Sequence, residues 1–331
     1  MIQIIKKTNA LVLEVCYRLK IPFIFAFPES IMIEPSSKCN LKCKLCPSGK
    51  GVIKRKKAFL TFTEFKKIMK TAKYFCQKIY FWNYGEPLLN KELDKMIEYA
   101  NQYRIYTIVS TNGTIFRKDK IENILKAGLN KLIIGIDTFK GKEYKKFREG
   151  GNYNRLKKNI KQIIDLKKDI NSHTIISLQY LIMSHNEMRL EEMKQQALSL
   201  GADEVIIKSL CAPSFNEISS EDIKFFPKSQ KYFRYTNFTN FESKIIKNKC
   251  EHIWKDMLIC SDGTALPCDR DHLSKFVLGN ILEKSLFHTW NSKEYVSFRR
   301  RIREIQKKEV MCNRCSDYVK RRWVYNLKRI S

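Results

Sequence analysis

No apolar run among the 331 residues approaches the roughly 20 that a helix needs to cross a bilayer. The apolar stretches near the start, Ala10–Leu13 and Pro22–Phe27, are short and separated by Arg18 and Lys20. They lack a small-residue cleavage site, which argues against a signal peptide and makes a cytoplasmic location the expectation. Internal repeats and low-complexity tracts are also missing. Acidic residues are scarce, 34 against 63 Lys and Arg, leaving a net charge of +29. A charge that large invites a nucleic-acid or membrane-surface partner, but the lysines are spread along the whole chain and read as a general surface coat. A nucleic-acid-binding protein with structural metal is therefore the lesser expectation, and a colourless, iron-free, zinc-bearing protein would mark it. One dense basic cluster stands out, Arg299-Arg300-Arg301, Arg303, Lys307 and Lys308, followed by Lys320-Arg321-Arg322, which could grip an anionic substrate or partner.

What is present is an ordinary globular composition, 44% hydrophobic and 12% aromatic. Eleven cysteines in a reducing compartment are not a disulfide framework. Eight fall in two groups, Cys39/Cys43/Cys46 and Cys250/Cys260/Cys268/Cys312/Cys315, while Cys16, Cys76 and Cys211 stand apart. Clustered cytosolic cysteines point to metal.

From residue 31 to about 208, short β-rich runs alternate with helical periods. The strand candidates are Ile31–Glu34, Lys78–Trp82, Ile105–Ser110, Lys131–Ile136, Thr174–Met183 and Glu204–Lys208, nearly continuous in apolar residues, as strands buried on both faces should be. Between them, Phe62, Phe65, Met69 and Ala72 share one helical face, as do Leu93, Met96, Ile97 and Ala100, and Leu190, Met193, Ala197 and Leu200. Six β/α units predict an α/β fold, a partial (β/α)6 barrel resembling a TIM barrel, with function at the C-terminal ends of its strands. Residues 211–249 are irregular and aromatic-rich. Ile253–Cys260 and Thr264–Cys268 flank the turn Ser261-Asp262-Gly263 and read as a hairpin. A helical segment over about 285–309 leads to Cys312-Asn313-Arg314-Cys315 and a last basic helix. The expected organisation is an N-terminal extension (1–30), a core (31–210), a linker (211–249) and a small hairpin-plus-helix domain (250–331).

Cys39-x3-Cys43-x2-Cys46 follows directly on the first strand. Three thiolates so close can ligate three irons of a [4Fe–4S] cubane, leaving the fourth iron open. A structural zinc site would want a fourth ligand nearby, and none is present. The stretch Ile33-Glu34-Pro35-Ser36-Ser37-Lys38-Cys39-Asn40-Leu41-Lys42-Cys43-Lys44-Leu45-Cys46-Pro47 resembles the CxxxCxxC signature of the radical S-adenosylmethionine (SAM) superfamily, including its Cys-Asn-Leu opening. The resemblance implies that SAM chelates the open iron, that one electron cleaves it to methionine and a 5′-deoxyadenosyl radical, and that this radical takes a hydrogen atom from the substrate. Asn83-Tyr84-Gly85-Glu86-Pro87 looks like the family's Gly-Gly-Glu-Pro motif, with Tyr84 in place of the first glycine, and implies that Gly85 and Glu86 hold the SAM amino group. Asn112, in Ser110-Thr111-Asn112-Gly113, resembles the family's Thr-Asn-Gly segment beside SAM. Asp137 stands where relatives read Ser-x-Asp, with Gly135 replacing the serine. Arg148 could face substrate or solvent.

Cys250-x17-Cys268 and Cys312-x2-Cys315, with Trp254, Asp262-Gly263 and Gly279-Asn280 in between, resemble the auxiliary-cluster domain called SPASM or its shorter twitch form. Four thiolates can saturate one further [4Fe–4S] cluster, although four cysteines at such spacing also suit zinc. Cys260 sits where relatives carry an ordinary strand residue and is left out. The implied cofactors are thus two [4Fe–4S] clusters and SAM, and the implied redox partner is an electron donor such as flavodoxin or ferredoxin. The substrate expectation is a small molecule or a peptide: oxidation of a small alcohol or sugar-like compound, as in the single-auxiliary-cluster aminocyclitol dehydrogenases, or crosslinking or epimerisation of a ribosomally made peptide.

Overall fold

The computed structural model describes residues 1–211, 218–238, 241, 250–316 and 322–327. Its helices are α1 (Ile2–Arg18), α2 (Phe62–Ala72), α3 (Leu93–Gln102), α4 (Lys118–Lys126), α5 (Gly141–Phe147), α6 (Tyr153–Asp169), α7 (Leu190–Ser199), α8 (Ser220–Ile223), α9 (His252–Lys255), α10 (Leu286–Trp290), α11 (Lys293–Arg300), α12 (Ile302–Lys308) and α13 (Val310–Asn313). Its strands are β1 (Ser30–Ile33), β2 (Lys42–Cys43), β3 (Lys78–Phe81), β4 (Tyr106–Thr111), β5 (Lys131–Gly135), β6 (Arg148–Glu149), β7 (Ile175–Ile182), β8 (Glu204–Ser209), β9 (Asp256–Ile259), β10 (Thr264–Leu266), β11 (Gly279–Asn280) and β12 (Arg322–Asn326).

The six anticipated strands all form, and they lie side by side and parallel in the order β1-β3-β4-β5-β7-β8. Local chemistry starts the helices between them. Thr61 accepts from the Glu64 amide while the Glu64 carboxylate accepts from the Thr61 amide, a reciprocal cap that fixes where α2 begins. The apolar faces of α2, α3, α4, α6 and α7 pack on one side of the sheet in a single continuous core. On the other side, Ile133 of β5 and Ile206 of β8 meet across β7, joined by Ile108, Tyr80 and Trp82. A flat sheet could not bring them together, so the strands curve into a partial barrel.

The C-terminal region differs from its sequence reading in three ways. Residues 252–255 form a helical turn, α9, before the strand begins, because Trp254 turns into the core and donates its indole N–H to the Ile21 carbonyl at 2.9 Å. The hairpin joins the sheet of the core: β9 pairs in parallel with β1, so β9, β10 and β11 continue that sheet, which with β12 counts ten strands. The expected last basic helix is instead a strand, β12, antiparallel to β8 at the opposite edge. Alternating Trp323 and Tyr325 toward the core overrides any helical tendency there. Lys320 and Arg321 of the basic cluster lie outside the described residues. Part of the expected linker is also a packing element: Phe226, Phe233, Tyr235 and Phe241 form a second small core with Met183, Leu210 and Leu45.

Candidate active site

The chain leaves β1 at its C-terminal end and immediately forms the first cysteine loop. Cys43 lies in β2, paired with Arg148 of β6. The Cys46 amide donates to the Cys43 carbonyl at 3.2 Å, which curls the loop so that the thiols share one region. Burial pushes the Cys43 thiol up to about 12, with Cys46 and Cys39 adding to the effect and Arg148 opposing it. Burial likewise raises Cys39, and Glu86 and Cys46 are among its electrostatic neighbours. Thiols so placed stay protonated until a metal displaces the proton. Leu45, between two of the cysteines, is anchored in the aromatic core of residues 226–241.

Glu86 sits beside this loop, buried, with its carboxylate already engaged. Its Oε1 accepts from the Thr111 hydroxyl at 2.6 Å and the Leu88 amide at 3.0 Å, and its Oε2 accepts from the Asn112 amide at 2.8 Å. Burial is the main reason that its carboxyl lies above the ordinary carboxylate value. Three donors occupy three of the roughly four acceptor sites of a carboxylate. Gly85 is required next to it: its φ is +111°, and a Cβ there would stand 2.0 Å from the Ser36 carbonyl oxygen. The Asn112 side chain donates to Asn40 Oδ1 at 2.9 Å and approaches the Cys39 sulfur at 3.8 Å. Tyr84 is buried, and its hydroxyl donates to the Asp269 carbonyl at 2.6 Å, tying this loop to the chain just after Cys268.

Asp137 and Arg148 form a buried ion pair, with Nη2 to Oδ2 at 2.5 Å and Nε to Oδ2 at 2.7 Å. Asp137 Oδ1 also accepts from the Leu181 amide at 3.0 Å. Arg148 is therefore not a solvated arginine. It also explains Gly135: a Cβ at that position would lie 2.3 Å from Arg148 Nη2, so the glycine makes room for the guanidinium.

The second group assembles from distant segments. The half-buried Cys268 thiol is raised chiefly by desolvation, and its further electrostatic neighbours are Asp269, Cys250, Cys312 and Cys315. Burial pushes Cys312 up to about 12, with Cys250 contributing. Among the described residues no three Cys, His, Asp or Glu side chains are close enough together to grip a single ion. The thiols share a neighbourhood, and a four-iron cubane with one thiolate on each iron spans more space than one ion. Cys260 is elsewhere, fully buried among Leu258, Leu266 and Met32, with Glu34, Arg55, Asp262 and Asp271 as its charged neighbours.

That second environment contains a polar cluster to which no role was assigned from the sequence. Glu34, fully buried at the end of β1, accepts from the Ser261 hydroxyl at 3.1 Å and the Asn83 amide group at 2.8 Å. The Arg55 Nε lies 3.5 Å from the same carboxylate, and its Nη1 donates to Ser274 Oγ at 2.7 Å. Burial nonetheless holds the Glu34 carboxyl above its ordinary value. The available signal was a charged residue closing an otherwise apolar buried strand.

Two family profiles match: the Radical SAM superfamily over residues 33–198, and SPASM, an iron-sulfur cluster-binding domain, over residues 250–316. The chain is 30% identical over 150 residues to GTP 3′,8-cyclase of Clostridium botulinum, covering 44% of this chain and 47% of that one. It thus spans about half the length of such curated relatives. In structure it is similar to BtrN in complex with AdoMet and 2-DOIA, with a TM-score of 0.53 and 20% identity over 88% of this chain and 93% of that one. It is also similar to Streptococcus suis SuiB bound to precursor peptide SuiA, with a TM-score of 0.64 and 15% identity over 93% of this chain and 75% of that one. The chain belongs to the Radical SAM superfamily: it is a radical SAM enzyme whose cofactors are S-adenosyl-L-methionine and iron–sulfur clusters.

Proposed function

We propose that Cys39, Cys43 and Cys46 hold one [4Fe–4S] cluster, that Cys250, Cys268, Cys312 and Cys315 hold a second, and that the enzyme carries out a net two-electron oxidation of a small alcohol or sugar-like substrate. The observation behind this reading is the division of the thiols, three on one loop at the strand ends and four in one separate neighbourhood. When bound, the first cluster supplies the electron that cleaves SAM, and the second, with every iron ligated, offers a place for an electron rather than for a second SAM. The chain's own groups do the positioning. Glu86, with one acceptor site left, is suited to the SAM ammonium. Asn112 orients the Cys39 side of the loop. The Asp137–Arg148 pair keeps a fixed cation beside Cys43. Electrons for the first cluster would come from a donor such as flavodoxin or ferredoxin.

The likeness to BtrN over nearly its whole length favours the small-molecule reading, and the likeness to SuiB with its peptide favours the second reading, modification of a ribosomally made peptide. Anaerobic incubation with deuterated candidate substrates distinguishes them. Deuterium should pass from the true substrate into 5′-deoxyadenosine, and the product should weigh two hydrogens less. A product of unchanged formula carrying one solvent deuterium would replace oxidation with epimerisation.

A further inference from the structure

Helix α1 is amphipathic with its faces reversed. The residues it turns inward are Lys6, Asn9, Leu13 and Cys16. Lys6 Nζ donates to the carbonyls of Tyr103 and Arg104 at 2.9 and 3.3 Å, and Asn9 both donates to and accepts from the Phe27 backbone. The opposite face carries Ile4, Leu11, Val12, Val15 and Leu19, which at about 100° per residue form one apolar stripe roughly 100° wide. Ile4, Leu11 and Leu19 are 70%, 68% and 68% exposed. The stripe continues into the loop that follows, where Phe25 is 83% exposed and packs at a tilt of 58° against Phe23 with ring centroids 4.9 Å apart.

A basic rim borders this surface. Lys7 and Arg18 follow one edge of the stripe, Arg18 paired there with Glu14 at 2.5 Å. Lys20 lies within electrostatic reach of Arg303. Arg299 of α11 donates to the Pro22 carbonyl at 2.9 Å, which ties α11 to the apolar loop, and its chain neighbour Arg300 is exposed. One end of the dense arginine cluster of the sequence is thereby anchored to the loop that carries Phe23 and Phe25. α1 rests on the segments just before β1, β4 and β9, at the N-terminal ends of the strands. The first cysteine loop is at the other end.

We propose that α1 and the loop of residues 19–25 dock the enzyme on a lipid bilayer carrying anionic headgroups, with the apolar stripe in the interface, the arginines on the headgroups, and the first cysteine loop facing away. The inference is independent of the proposed reaction. Charge complementarity selects the occupant: the basic side chains Lys7, Lys20 and Arg303 border exposed aliphatic and aromatic residues and match an anionic interface. Among the described residues no helix is long and apolar enough to cross a membrane, so α1 would lie in the plane of the surface.

The reconstituted enzyme should co-sediment with vesicles of phosphatidylcholine mixed with phosphatidylglycerol, less so as salt rises, and not with phosphatidylcholine alone. The double variant Leu19→Ser/Phe25→Ser should lower the partition coefficient at least about tenfold, and Arg300→Gln/Arg303→Gln should lower it most at low salt. Both side-chain pairs are exposed, and retained SAM cleavage in solution shows that the variants fold. Absence of wild-type binding to the mixed vesicles, or equal partitioning of the variants, overturns the proposal. So does a wild-type dimer in light scattering that Leu19→Ser/Phe25→Ser converts to monomer, since a second copy would then cover the stripe.

Discussion

At the scale of single residues, Cys260 and Cys268 are eight positions apart in one hairpin yet have different surroundings. Cys268 neighbours three other cysteines, whereas Cys260 packs against Leu258 and Leu266 and neighbours Glu34 and Arg55. Cys260→Ser should keep the full iron content and cost about 1–3 kcal/mol for the buried hydroxyl. Cys268→Ser should lose the auxiliary cluster. Iron analysis with thermal unfolding checks both, and equal iron loss would mean that the wrong four ligands were chosen. The reconstituted wild type should hold roughly eight irons, and the Cys39/Cys43/Cys46→Ala triple variant roughly four, with SAM cleavage abolished. A triple variant that still cleaves SAM would remove the first loop from the mechanism.

At the scale of elements, the turn after β3 is set by one backbone approach. Gly85 adopts a conformation that L side chains rarely take, and its Cα passes close to the Ser36 carbonyl in the turn after β1. Gly85→Ala should shift Glu86 away from Thr111 and Asn112, at a strain cost on the order of 1–3 kcal/mol. We expect weaker SAM binding by equilibrium titration with the iron content of both sites unchanged. Coincident loss of iron would show that the turn supports the cysteine loop instead. The departure from the motif's first glycine at Tyr84 has its own reason, because the tyrosine hydroxyl reaches the Asp269 carbonyl just after Cys268.

At the scale of the whole molecule, the seam between β1 and β9 joins the two cluster-bearing regions into one sheet. Glu34 is the polar fastener of that seam, since it accepts from Asn83 on one side and Ser261 on the other, beside Arg55. Glu34→Gln would leave the Arg55 guanidinium buried without its nearest carboxylate, at a cost of about 3 kcal/mol. Hydrogen exchange should then speed up in β9 and β10 before it does in β4 and β5. Uniform exchange rates across the sheet would assign the fastening to strand pairing alone.

By itself the sequence determined the six parallel strands and the first cysteine loop. Both are local signals: apolar runs of strand length bounded by helical periods, and three cysteines within eight residues. It also determined the helical faces of α2, α3 and α7, because period and burial coincide there. What only the tertiary structure decided involves partners far apart in the chain. The pairing of β9 with β1, the strand at 322–326, and the Asp137–Arg148 pair that displaces a serine from position 135 have no local signature. The same holds for α1, whose apolar stripe would ordinarily be assigned to a core. Lys6 and Asn9 face inward because they find unpaired backbone carbonyls there, and that leaves Ile4, Leu11, Val15 and Leu19 outside.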